Sequence, residues 1–160
     1  RFQGQIGCSL SHLKLWEHIV EKKINHALIF EDDAILLDGF RDKLSHIIDE
    51  LPTDYNFVLL GGTNLRGRII TGKQHILEGA KNKLTNLCLT AYMINYKFAE
   101  KILQEAKQNR LEKTIDLHLM NNTYPYNKYY ISLIPIVKQN KRLRTDIIPY
   151  NEINKLLIDF

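Results

Sequence analysis

The chain has 160 residues, 44% hydrophobic and 25% charged, with 22 Lys and Arg against 18 Asp and Glu for a formal charge of +4. That balance describes one globular domain able to bury roughly 70% of the surface its unfolded chain exposes, and it excludes a disordered tail, a collagen-like repeat and a disulfide scaffold. No apolar run approaches the ~20 residues of a spanning helix, residues 1–20 lack the order of a signal peptide, and Cys8 and Cys88 lie far apart in apolar contexts, so the expectation is a cytoplasmic protein with two free thiols.

Leu10, Leu13, Trp16, Val20 and Ile24 recur at helical spacing behind Ser9, an acceptable N-cap, and predict a helix over 9–23. The apolar run 26–30 stops at Glu31-Asp32-Asp33 and predicts a buried parallel strand ending in an acidic loop. Phe40, Leu44, Ile47, Ile48 and Leu51 place a helix before Pro52, and 57–60 reads as a second buried strand closed by Gly61 and Gly62. Residues 66–83 suit a hairpin or a loop. A strand over 87–94, a helix over 96–108, a short helix over 114–120 and a strand over 129–133 follow. Pro135 and Pro149 bracket an irregular basic segment, and 152–158 has the pattern of a terminal helix. Helix alternating with strand is the mark of an α/β layered sheet; Leu28–Phe30 and Leu59–Leu60 are its expected central parallel strands, covered on both faces.

Charge is unevenly spread, with 9 basic and 11 acidic residues in the first 80 positions and 13 and 7 in the last 80. Lys138, Lys141, Arg142 and Arg144 form the one dense basic cluster, which fits either a solvated loop or contact with an anionic lipid-linked acceptor or membrane leaflet. It lacks interleaved aromatics and the first half is acidic, so nucleic acid is not an expected partner.

Three consecutive acids repel one another unless a cation or backbone N–H groups balance them. In an extended loop Glu31 and Asp33 would point the same way, toward one divalent ion, with Asp32 facing elsewhere. The competing reading is a solvated turn before a helix. Gly7 to His12 admits two readings as well. Ser11 and His12 line an anion site at a helix N-terminus, or Ser9 and Ser11 cap the helix and His12 packs against the core. Cys8 beside His12 suggests a thiol nucleophile, but no third member follows at a telling position.

Gly7-Cys8, Ser11-His12 and Trp16, followed by Leu28-Ile29-Phe30-Glu31-Asp32-Asp33, resemble the opening motif series of glycosyltransferase family 25, which includes bacterial lipopolysaccharide and lipooligosaccharide sugar transferases. The resemblance continues through Leu59-Leu60-Gly61, Thr90 to Ile94 and Ile115-Asp116-Leu117. It extends to Ile134-Pro135 with Gln139, and Thr145-Asp146-Ile147 stands where the family usually has Ser-Asp-Ile. It implies a GT-A-like (Rossmann-like) α/β fold with a mostly parallel sheet flanked by helices. It also implies a nucleotide-sugar donor, expected to be a UDP-sugar, and metal-assisted transfer of a hexose, expected to be galactose, to a lipid-linked saccharide. Glu31, Asp32 and Asp33 would hold Mn²⁺ or Mg²⁺ against the donor diphosphate. Asp116 is the candidate base, with a helix-dipole carboxylate as its plain alternative. Ser11, His12, Gly61 and Gly62 are the candidate substrate-binding residues.

Family members carry a leading strand upstream of the Gly-Cys motif, where this chain begins, so the expectation is a single domain over 1–160 that is N-terminally incomplete. A non-catalytic carbohydrate- or nucleotide-binding module on the same fold is the alternative function. A metal-dependent phosphohydrolase lacks further carboxylates at later strand ends.

Overall fold

The computed structural model describes residues 2–79, 86–108, 114–123 and 128–142. Helix α1 runs Phe2–Glu21, followed by strand β1 (His26–Phe30), strand β2 (Ala34–Leu36), helix α2 (Phe40–Glu50) and strand β3 (Phe57–Thr63). Then come β4 (Gly67–Ile69), β5 (Ile76–Gly79), β6 (Leu87–Asn95), α3 (Tyr96–Gln108), α4 (Ile115–Thr123), β7 (Tyr129–Ser132) and β8 (Val137–Gln139).

Helix α1 begins before Ser9, and within it Ser11 Oγ bonds back to Gly7 O at 3.0 Å instead of capping a helix start. It ends with Lys23 in the left-handed region (φ 52°). Ile24 N donates to Ile19 O and Lys23 N to Val20 O, the paired bonds that satisfy the last carbonyls of a helix.

The six-stranded sheet has the order β1-β6-β3-β7-β5-β4, and β2 pairs with β8 in a separate ribbon. Strand β3 is buried along Phe57–Gly61, and its side chains alternate between two cores. Phe57 and Leu59 face Trp16, Tyr92, Phe98, Ile102 and Leu119, beneath α1, α3 and α4. Val58 and Leu60 face Ile47, Tyr55, Ile136 and Val137, beneath α2 and the β2–β8 ribbon. A sheet with helices on both sides is the Rossmann-like GT-A type of layering.

Two expectations about the sheet are corrected. It is not mostly parallel: β3–β7 is the one parallel pairing among the described strands, and β1–β6, β3–β6, β5–β7 and β4–β5 are antiparallel. An uninterrupted apolar run reports burial on both faces and is silent about direction. Nor is β1 central. It lies at one end of the described sheet, with Ile29 in the core while Leu28 and Phe30 are each 39% exposed. Since β1 and β3 both run antiparallel to β6, they point the same way, and the loop after β1 opens beside the end of β3. The β4–β5 hairpin resolves the weak signal over part of 66–83, with Arg68 paired across to Glu78. The expected terminal helix at 152–158, Arg144 and Thr145-Asp146-Ile147 lie outside the described residues.

Candidate functional site

The acidic triplet follows β1 as a tight turn, closed by Ala34 N donating to Glu31 O at 3.1 Å. An extended loop would align Glu31 with Asp33; a turn sends them apart. Glu31 heads under α1, where its Oε1 lies 3.6 Å from His12 Nε2 and 3.9 Å from Cys8 Sγ. Asp33 turns toward β8, where Gln139 Nε2 donates to its Oδ2 at 2.8 Å and Asn140 N donates to its backbone O at 2.8 Å. Its other oxygen, Oδ1, is buried with no hydrogen-bond partner among the described residues. Asp32 is exposed.

Cys8 and His12 stand one turn apart on α1, on one face. His12 is 4% exposed, with Nδ1 2.8 Å from the Tyr92 hydroxyl, which also accepts from Trp16 Nε1 at 3.0 Å. Burial pushes the Cys8 thiol up to about 12, and nearby Glu31 and Asp116 add to the shift. That shift disfavours the thiolate a thiol nucleophile needs. Cys88 is raised by burial, eased by a Thr63 hydrogen bond and pressed upward again by Asp116, Glu31 and Asp33.

Cys88 links the later half of the site to the acidic turn. It adopts φ 65° within β6, an unusual conformation for a side-chain-bearing residue, beside irregular β3–β6 pairing at Gly61 and Thr63. Its N–H points to Asp116 Oδ2 at 3.4 Å. Asp116 Oδ1 accepts from Leu117 N at 2.9 Å and from the Thr114 hydroxyl, which fixes the carboxylate in the first turn of α4.

Gly61 and Gly62 do not close β3; the strand runs through them. A Cβ on Gly62 would sit 2.7 Å from Leu87 O, and one on Gly61 would sit 3.1 Å from Val137 Cβ, so both allow close backbone approach. Both also line a cleft of about 900 Å³ shared with Thr63, Lys138, Lys141 and Arg142. Gln139 and Asn140 line it too, and so couple it to Asp33. Ser11 is exposed and bonded within its own helix.

Among the described residues, the His, Cys and carboxylate ligand atoms that gather within 4.8 Å of one another are those of Cys8, His12 and Glu31. Asp116, from the first turn of α4, is the carboxylate in contact with Cys88 N. The model of Glycosyltransferase family 25 (LPS biosynthesis protein) matches residues 3–119, a span that contains all of these groups except the β8 residues. The chain belongs to glycosyltransferase family 25.

Its relatives in that family include procollagen galactosyltransferase 1 of Danio rerio, 26% identical over 134 residues, which cover 79% of this chain and 22% of the relative. Procollagen galactosyltransferase 2 of Homo sapiens is 23% identical over 141 residues, 81% of this chain and 22% of the relative. The probable inactive glycosyltransferase 25 family member 3 of Rattus norvegicus is 25% identical over 134 residues, 79% of this chain and 23% of the relative. The chain thus spans about a fifth of the length of these relatives.

Tyr92 lay within the Thr90 to Ile94 stretch of the family resemblance, but the sequence assigned it no role. Its signal was a tyrosine inside an otherwise apolar strand, where a buried hydroxyl must find partners. Among the described residues, no helix is long and apolar enough to cross a membrane.

Proposed function

We propose that this family 25 domain transfers a hexose, galactose in the first instance, from a UDP-sugar to a saccharide hydroxyl, with a hard divalent cation assisting. The observations that support the proposal are the unpartnered Asp33 Oδ1 in the turn after β1 and the Asp116 carboxylate fixed 3.4 Å from Cys88 N. Asp33 Oδ1, buried and unpartnered, is an acceptor suited to a cation, and carboxylate oxygens are the donors Mn²⁺ and Mg²⁺ prefer. Asp33 would hold the ion, and Glu31 would join it on turning away from Cys8 and His12, with Asp32 facing solvent. When bound, the ion neutralises charge on the departing diphosphate.

Asp116 is the proposed base. Its Oδ1 is engaged by Thr114 and Leu117, whereas Oδ2 has, among the described residues, only the long contact to Cys88 N, leaving a lone pair for an acceptor hydroxyl. The cleft edged by Lys138, Lys141 and Arg142 supplies positive charge for an anionic partner, which we assign to a lipid-linked acceptor of lipopolysaccharide type at the cytoplasmic leaflet. Gly61 and Gly62 keep its floor open.

Release of nucleoside diphosphate from a panel of nucleotide sugars, with and without Mn²⁺ and a glycan acceptor, tests this reading. Metal-dependent release from a UDP-sugar supports it. A second reading, a non-catalytic binding module, is favoured by the relatives named as inactive. Nucleotide or glycan binding with no release from any donor would decide for it.

A further inference from the structure

We propose that Cys8 Sγ, His12 Nε2 and Glu31 Oε1 form a binding site for a zinc-type divalent ion, separate in ligand chemistry from the hard-cation set of Glu31 and Asp33. The three ligand atoms lie within 4.8 Å of one another. The spacings decide what they are suited to. At 3.6 Å, His12 Nε2 and Glu31 Oε1 are too far apart for a good hydrogen bond, and at 3.9 Å the Cys8–Glu31 contact is loose. Ligands around a tetrahedral zinc, with bonds of about 2.0 Å to N and O and about 2.3 Å to S, stand roughly 3.3–3.7 Å from one another. The two spacings to Glu31 already lie within a few tenths of an ångström of that range, and the third is within 4.8 Å, so small side-chain rotations bring the trio onto one ion.

The scaffold is that of a built site. Cys8 and His12 come from successive turns of one helix face, and Glu31 meets them from the end of β1. Behind His12, the Tyr92 oxygen has two lone pairs and can accept both Trp16 Nε1–H and His12 Nδ1–H, which turns the Nε2 lone pair toward Glu31 and Cys8. A metal-bound histidine is commonly held this way through its second nitrogen. Among the described residues, no Lys or Arg ion pair reaches Glu31. On binding, the Cys8 thiol gives its proton to solvent and the thiolate takes the ion. With three protein ligands, a fourth position remains for water. An ion placed here holds Glu31 where it already lies, apart from Asp33, so zinc opposes hard-cation binding at the acidic turn.

Cobalt(II) titration of the whole chain tests this without any nucleotide, so its outcome is independent of the proposed transfer reaction. One equivalent should bind with a thiolate-to-cobalt charge-transfer band, and zinc should displace it. Cys8→Ser should abolish the band, His12→Ala and Glu31→Gln should each weaken binding more than tenfold, and Cys88→Ser should change neither. Tyr92→Phe should keep the band while lowering affinity about 10- to 100-fold. X-ray absorption of the zinc-loaded wild type needs no variant and should show a single sulfur near 2.3 Å beside nitrogen and oxygen. No binding, a shell without sulfur, a band that survives Cys8→Ser, or one that disappears with Cys88→Ser overturns the site.

Discussion

Gln139 Nε2 donates to Asp33 Oδ2 at 2.8 Å, joining two residues 106 positions apart. Asn140 N adds a bond to Asp33 O at 2.8 Å, so the acidic turn is anchored to β8 by both its side chain and its backbone. The carboxylate is thereby held with one oxygen occupied and the other unpartnered.

Gln139→Ala should therefore loosen the turn without removing a charge. The expected result is Mn²⁺-coupled nucleotide binding weakened several-fold by calorimetry, with Asp33→Asn abolishing the coupling altogether. Unchanged coupling in Asp33→Asn removes this residue from the cation set.

Asp116→Asn should lower turnover about 10²- to 10⁴-fold, the usual contribution of a positioned base. Donor affinity should hardly move if the cation and diphosphate contacts lie at the acidic turn, as proposed. Steady-state kinetics and donor calorimetry on one preparation separate the roles: loss of donor affinity would assign Asp116 to the cation instead.

Tyr92→Phe deletes a buried hydroxyl that serves both Trp16 Nε1 and His12 Nδ1. Two buried groups lose their partner, so stability should fall by about 1–3 kcal/mol. Urea unfolding should show a lower midpoint at an unchanged slope.

Two glycines should respond in opposite directions. Gly62→Ala puts a Cβ 2.7 Å from Leu87 O and 2.9 Å from Cys88 O, a backbone clash expected to cost about 1–3 kcal/mol. Gly7→Ala meets nothing within 4 Å inside α1 and should stabilise by about 0.5–1 kcal/mol. Thermal melts of the two variants check the contrast.

Burial of Glu50 opposes its ionisation but is outweighed by hydrogen bonds from Gln74 N, His75 N and the His75 ring, which hold the carboxyl at about 2 against an ordinary 4.5. A depressed acid stabilises the fold above its unfolded value, so this contribution is complete above about pH 4.5 and is lost as pH falls toward 2. Solvent screening limits it to on the order of 1 kcal/mol. Glu50→Gln should flatten that part of the stability profile, measured by denaturation between pH 2 and 6.

The helices and β3 were legible because their apolar periodicity is set by burial, which sequence records directly. The direction of β6 was not, since a fully buried run such as Leu89 to Ile94 carries no mark of its neighbours' polarity. Ser9 looked like a cap because capping chemistry is local, yet α1 continues through it and Ser11 turns its hydroxyl back to Gly7. The acidic turn was visible as a run of charge. Its division between Cys8–His12 on one side and Gln139 on the other was not, because both partners arrive from distant elements. Asp116 stood out through the family pattern, whereas the left-handed Cys88 that meets it follows from irregular strand pairing that no local motif announces.

The bond between Asp33 and Gln139 also sets a clock. On a ribosome adding roughly 5–20 residues per second, Gln139 is made about 5–20 s after Asp33, and α1, β1 and β6 can assemble during that wait. Throughout it the acidic turn lacks its anchor on β8. Nascent chains stalled before β8 should accordingly hold the α1–β6 core while the turn stays open to proteolysis, and Asp33 takes its anchored position only once β8 has been made.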